Sequence, residues 1–223
     1  MSKKTTIIFD LDGTLLYTLE DLKDAVNYAL RTKGYAEHDL EEMRHFFGNG
    51  IRFALKEAEP AATEEDLDEL IRLFKTYYAG HLTDKTVPYD GIMDLLETLY
   101  EEGYKMAIVS NKVDEAVKTL AEHFFGKYVT VAIGNSDRIR RKPAPDTVFA
   151  AMEELGVTAE ESVYVGDSEV DLATARAAGI PCITVLWGFR EKEFLLEQGA
   201  ERFAMHPGEI PGLLDELPDE LPE

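Results

Sequence analysis

The chain has 223 residues, 45% of them hydrophobic and 10% aromatic, enough for one large domain or two small ones. Lysine and arginine number 23 against 44 aspartate and glutamate, a formal charge of −21, which excludes nonspecific nucleic-acid binding because that needs a positive footprint. One cysteine, Cys182, excludes an intrachain disulfide, no apolar stretch reaches transmembrane length, and Met1–Thr6 runs into a strand pattern without a long apolar leader, so a reducing cytoplasm and no membrane partner are expected.

Thr5–Asp10 reads as a short buried strand. From Thr18 the period becomes helical, with Leu22, Val26 and Leu30 on one stripe and Thr18 with Asp21 resembling an N-cap pair. Helical patterns follow at Leu40–Phe47, Ile51–Ala58 and Asp66–Tyr78, the last with Leu67, Leu70, Ile71, Phe74 and Tyr78 on one side and Thr63 as its cap. After Pro88 helices and short apolar runs alternate: helix Ile92–Glu102, strand Lys105–Ser110, helix Asp114–Phe125, strand Val129–Ile133, helix Asp146–Leu155, strand Ser162–Gly166, helix Leu172–Ala178 and strand Pro181–Leu186. That alternation predicts an α/β fold, a Rossmann-like parallel sheet with helices on both faces. The helical stretch after the first strand divides the chain into a core of residues 1–16 and 84–223 and an all-helical insertion of residues 17–83. The acidic, proline-interrupted end Pro218–Glu223 is expected to fray. Cys182 sits in the apolar run Ile180–Leu186 and reads as core packing.

In open parallel sheets ligands bind at the carboxyl ends of the strands, so the residues there carry the functional reading. After the first strand comes Asp10-Leu-Asp12-Gly-Thr14, where extended alternation sends both carboxylates the same way and Gly13 permits a sharp turn. Ser110-Asn-Lys112 follows the second. Lys142 lies in the basic stretch Arg138–Asp146 after the third, and Gly166-Asp167-Ser-Glu-Val-Asp171 follows the fourth. Converging carboxylates repel one another, and hard oxygen ligands in that number suit Mg²⁺, which also accepts phosphate oxygens. An acidic chain that binds an anion must reverse the sign of its field locally, and Lys142 together with a metal ion does so.

These four segments, in this order from Ile7 to Leu186, resemble the four motifs of the haloacid dehalogenase-like superfamily, and the helical insertion resembles that family's small cap. The resemblance implies a magnesium-dependent phosphoric monoester hydrolase. Asp10 is implied as nucleophile and Mg²⁺ ligand, Asp12 as general acid and then base with its backbone carbonyl on the metal, and Asp167 as the third protein ligand. Lys142 neutralises nucleophile and phosphate, Thr14, Ser110 and Asn111 hold the phosphoryl group, and Asp171 supports the metal site. An aspartate at position 12 favours phosphate chemistry over dehalogenation, which has no phosphoryl leaving group to protonate.

The segment Gly48-Asn49-Gly50-Ile-Arg52 resembles the cap loop of the phosphoglycolate phosphatase-like subgroup. It implies a small phosphate ester as substrate, with Asn49 and Arg52 contributing to its binding. Tyr17 departs from the aspartate usual at that position. A β-phosphoglucomutase-like transfer, a pyrophosphatase or nucleotidase activity, and an inactive regulator or binding protein on the same fold are the alternatives. A monomer or weak homodimer is expected. Blander readings also stand. Arg138, Arg140 and Arg141 suit a solvated loop, Gly48–Gly50 an ordinary helix-to-helix turn, and the five histidines the surface. Trp187 and Phe189 suit packing against the sheet.

Overall fold

The structure, a computed structural model, describes residues 4–217; the terminal segment expected to fray lies outside the described residues. The chain divides into two compact units, with boundaries after Leu16 and after Val87. The second boundary falls later than the sequence pattern placed it, because Lys85 and Thr86 are tied back to Asp21.

The first unit is built on a six-stranded sheet. Its strands are β1 (Thr6–Phe9), β4 (Lys105–Val113), β5 (Val131–Asn135), β6 (Ser162–Gly166), β7 (Cys182–Val185) and β8 (Phe203–Ala204), in the spatial order β5-β4-β1-β6-β7-β8. Every pairing is parallel, with Ile7 opposite Met106 on one side and Val163 on the other. One face carries Ile8, Ala107, Val109 and Tyr164, which pack with Val148, Ala151 and Met152 of helix α7 (Asp146–Leu155) and with Ala175 and Ala178 of α8 (Glu169–Ala178). By alternation Ile7, Phe9, Met106 and Ile108 point to the opposite face, and all four are buried, so both faces are covered. Helices α5 (Ile92–Glu101), α6 (Asp114–Phe125), α9 (Lys192–Glu197) and α10 (Ile210–Asp215) complete the unit.

Several boundaries move from the sequence reading, most by a residue or two. Strand β4 runs on to Val113, so Ser110, Asn111 and Lys112 lie on the strand rather than after it. Strand β5 begins two residues later than read, at Val131, and ends at Asn135. Helix α8 begins at Glu169, because Ser168 and Asp171 form a capping box that starts it a turn early. Strand β8 and helices α9 and α10 are too short to show a period.

The second unit holds α1 (Leu19–Lys33), α2 (Leu40–Phe46), α3 (Ile51–Ala58) and α4 (Glu64–Tyr78). Thr63 and Asp66 form the capping box of α4. Leu67, Leu70, Leu73, Phe74 and Tyr78 are its buried side, so Leu73 takes the place that the pattern gave to Ile71. Thr18 makes no side-chain cap. Asp21 instead accepts the Thr86 N–H and hydroxyl, both at 2.8 Å, and the Lys85 N–H at 3.0 Å. The short strands β2 (Leu16–Tyr17) and β3 (Val87–Pro88) pair where the chain passes from one unit to the other. Among the described residues no helix is long and apolar enough to cross a membrane.

Candidate active site

Two strand ends of the first unit, those of β1 and β6, bring the acidic groups together. Asp10 follows β1 directly, its N–H held by the Val165 carbonyl of β6 at 2.9 Å. Asp167 follows β6, and Asp171 lies one helical turn on, in the first turn of α8. Carboxylate oxygens of Asp10, Asp167 and Asp171 all lie within 4.8 Å of one another, and all three residues are buried.

Lys142 supplies the countercharge. Its ammonium, 3% exposed, donates to Asp10 Oδ1 at 2.6 Å, Asp171 Oδ1 at 2.7 Å and the Tyr164 hydroxyl at 2.9 Å. Burial works against this charge, but Asp10 and Asp171 beside it outweigh burial and hold the lysine well above its ordinary range. The Lys142–Pro143 peptide is cis. The Asn111 side chain donates to the Lys142 carbonyl at 3.1 Å, which fixes the loop that carries the lysine.

Asp167 and Asp171 share a helix start but differ in how their oxygens are used. Asp171 accepts from Lys142 and Tyr164 on Oδ1, and from the Ser168 N–H and hydroxyl on Oδ2 at 3.1 and 2.6 Å. Asp167 accepts the Phe189 N–H on Oδ2 at 2.7 Å and a long 3.4 Å contact from Thr14 Oγ1 on Oδ1. Asp167 therefore has more capacity left for a metal ion than Asp171, whose oxygens already hold protein donors.

Burial raises both Asp10 and Asp167. For Asp10, Lys142 opposes the rise while Asp171, Asp167 and Asp12 add to it, and the group stands well above the usual carboxylate range. Asp167 is pushed up to about 7, by burial first and by Asp171 next. These are carboxylates short of positive charge, and hard oxygen donors in that condition fit a divalent cation. The backbone is shaped for their crowding. At Gly13, with φ +88°, an added Cβ would stand 2.5 Å from Asp167 Oδ2, and at Gly166 one would stand 2.5 Å from Asp171 Cβ. Only glycine admits the turn at position 13 together with so close an approach.

Asp12 lies beside this group. Its Oδ1 accepts from the Lys112 ammonium at 2.6 Å, and its Oδ2 lies 3.4 Å from the Ser110 hydroxyl. Ser110 and Lys112, both on β4, turn their side chains toward Asp12. The structure thus gathers Asp10, Asp12, Thr14, Ser110, Asn111, Lys142, Asp167 and Asp171 in the first unit. Asn49 and Arg52 belong to the helical unit, where the Arg52 guanidinium donates to Glu64 at 2.8 Å and also pairs with Asp68.

Sequence reasoning missed four residues here. Lys112 carries no role in the motif reading, and Tyr164 reads only as part of a strand. Trp187 and Gly188 were not connected with the first motif at all. The Trp187 indole donates to the Thr14 carbonyl at 2.9 Å, and an added Cβ at Gly188 would stand 2.5 Å from the Gly13 carbonyl. The loop after β7 therefore packs on the turn after β1 and, through the Phe189 N–H, on Asp167.

The chain is 32% identical over 200 residues to a phosphoglycolate phosphatase of Pseudomonas fluorescens, covering 86% of this chain and 73% of that one. It is 30% identical over 184 residues to a phosphoglycolate phosphatase of Aquifex aeolicus, covering 82% and 85%. A crystal structure from Lactobacillus delbrueckii subsp. bulgaricus, provisionally named as a phosphoglycolate phosphatase, superposes with a TM-score of 0.91 at 36% identity, over 95% of this chain and 98% of that one. A sequence model of the haloacid dehalogenase-like hydrolases matches residues 7–185, the stretch from the middle of β1 to the end of β7 that carries every acidic residue of the cluster. The chain belongs to the haloacid dehalogenase-like hydrolase family and is a phosphatase within it.

Proposed function

We propose that this phosphatase hydrolyses small phosphate monoesters through a phospho-aspartyl intermediate on Asp10, with Mg²⁺ as its metal and a phosphoglycolate-like ester as its preferred substrate. One observation carries the reading: a buried carboxylate at the end of β1, 2.6 Å from a buried ammonium and within 4.8 Å of two further carboxylates.

Lys142 occupies Oδ1 of Asp10, and Oδ2 is the oxygen that attacks phosphorus. As the bond to Asp10 forms, the ester bond to the leaving oxygen breaks, and Asp12 gives that oxygen its proton. Asp12, now a carboxylate, takes a proton from water, and the hydroxide attacks the phosphorus of the acyl phosphate. Inorganic phosphate leaves and Asp10 is regenerated. Two lower barriers replace one high one. Lys142 holds countercharge in place before charge develops, while Ser110 and Asn111 direct the phosphoryl oxygens. Asp10, Asp167 and the Asp12 carbonyl would hold Mg²⁺, which when bound neutralises the phosphoryl oxygens and the crowded carboxylates. The helical unit plays the part of the family's substrate-selecting insertion, and the enzyme works in the cytoplasm.

The substrate preference comes from the relatives named as phosphoglycolate phosphatases. The test is phosphate release from phosphoglycolate and a panel of small esters, with and without Mg²⁺. Wild type should require the metal, and Asp10→Asn should lose at least ~10³-fold in kcat, as removal of a nucleophile does. Turnover by Asp10→Asn at the wild-type rate would overturn the mechanism.

A further inference from the structure

The site holds two ammonium groups, and only one is explained by the chemistry at phosphorus. Lys142 is enclosed by Asp10, Asp171, Tyr164 and the Val109 carbonyl. Lys112 is the other. Its side chain is 7% exposed, and its ammonium lies 2.6 Å from Asp12 Oδ1, on the residue that hands a proton to the leaving oxygen. A partly buried ion pair of this kind contributes little to stability, because desolvation offsets the attraction, so stability alone does not account for a lysine here.

The place of this charge matters. A proton donor must stand within a hydrogen bond of the oxygen it protonates. Asp12 therefore marks where the leaving oxygen sits, and Lys112, hydrogen-bonded to Asp12, stands beside the first atoms of the leaving group. A neutral alcohol offers an ammonium nothing there. An alcohol with a carboxylate on the adjoining carbon places an anion within its reach. Position 112 is set for this by β4, which continues past Ser110 through an irregular stretch and turns both Ser110 and Lys112 to the same carboxylate.

We propose that Lys112 is the specificity-determining residue of the site, and that its ammonium binds the carboxylate of the leaving group in phosphate esters of short 2-hydroxy acids. The inference rests on the reading under Proposed function, since it needs Asp12 at the leaving oxygen. It adds the residue that selects the ester and the chemical feature it selects.

The test compares phosphoglycolate with ethyl phosphate, which has the same two-carbon leaving group without its carboxylate. Any loss that follows from disturbing Asp12 is common to both esters and cancels in the ratio of their kcat/KM values. In Lys112→Met this ratio should fall by about 10- to 100-fold relative to wild type, the scale of one lost charge-assisted hydrogen bond, chiefly through KM for phosphoglycolate. Lys112→Arg should restore most of the ratio. Turnover of ethyl phosphate by each variant reports that the site is still folded. Equal losses on both esters, or an unchanged ratio, would overturn the inference and leave the proposed function standing. A wild-type enzyme that hydrolyses neither ester with Mg²⁺, or both equally well, would refute the proposed function and this inference with it.

Discussion

Gly188→Ala tests whether the loop after β7 sets the position of Asp167. Gly188 is not among the glycines with positive φ, so its backbone accepts alanine and the whole effect is steric. The new methyl would fall well inside contact distance of Asp167 Cβ and Oδ2, and 2.5 Å from the Gly13 carbonyl oxygen. Heavy atoms of this kind rest at about 3.5 Å, so roughly 1 Å of displacement is needed. Asp167 cannot supply it by rotating, because its Cβ is itself in the way. Either the loop lifts, which breaks the 2.7 Å Phe189 hydrogen bond to Asp167, or the aspartate moves with the end of β6. Overpacking of this size costs about 1–3 kcal/mol, and displacing the hydrogen bond that orients a metal ligand weakens metal binding by about 10- to 100-fold. The assay is the Mg²⁺ concentration for half-maximal phosphatase activity, with urea unfolding alongside. Gly188→Ala should need at least ~10-fold more Mg²⁺ while saturating metal restores much of kcat. A half-maximal concentration within twofold of wild type would show that the loop does not govern Asp167.

Two further expectations concern stability. Asp167 stands at about 7 in the fold against an ordinary 3.8, so between those values the folded state holds a proton that the unfolded state releases. Metal-free protein should therefore lose stability as pH rises through that window, by on the order of 4 kcal/mol at most, while Mg²⁺ should raise Tm more at pH 8 than at pH 5; an equal Mg²⁺ shift at both would refute the link. In the helical unit, Asp21→Ala leaves the Thr86 N–H and hydroxyl and the Lys85 N–H without their acceptor. It should cost about 2–4 kcal/mol in urea unfolding, and a loss below ~0.5 kcal/mol would show that water replaces the carboxylate.

The sheet was legible because its strands are short apolar runs bounded by glycine and helical periods, and β1, β6 and α7 fall within a residue of where the pattern puts them. The positions of Asp10 and Asp12 at one site follow from local geometry, two alternating residues and a glycine at a strand end. Lys142 and Asp167 were visible through their order relative to those two. What the sequence hid is contact across long separations. The Lys112 ammonium meets Asp12 across 100 positions and the Trp187 indole meets the Thr14 carbonyl across 173, and no periodicity encodes either pairing. Asp21 shows the same limit from the other side. A threonine followed three residues later by an acid reads as a cap pair, but tertiary donors at Lys85 and Thr86 compete for that carboxylate and win it.

The charge of the chain sharpens what chelation should do. A formal −21 makes the surroundings of any bound phosphate repulsive, so the site alone must reverse the field. Its protein groups do not manage this. Asp10, Asp12, Asp167 and Asp171 stand against Lys112 and Lys142, with one carboxylate on the Lys112 ammonium and two on that of Lys142. Burial raises Asp10 and Asp167, and the neighbouring carboxylates add to the rise. A divalent ion balances four carboxylates against two ammonium groups, and without it a phosphate dianion enters a site that repels it. Excess EDTA should therefore abolish activity, to below about a hundredth, and Ca²⁺, which accepts looser and larger coordination, should restore little of it. Activity above about a tenth in EDTA would mean that backbone N–H groups and Lys142 neutralise phosphate unaided, and the metal would then only adjust the rate.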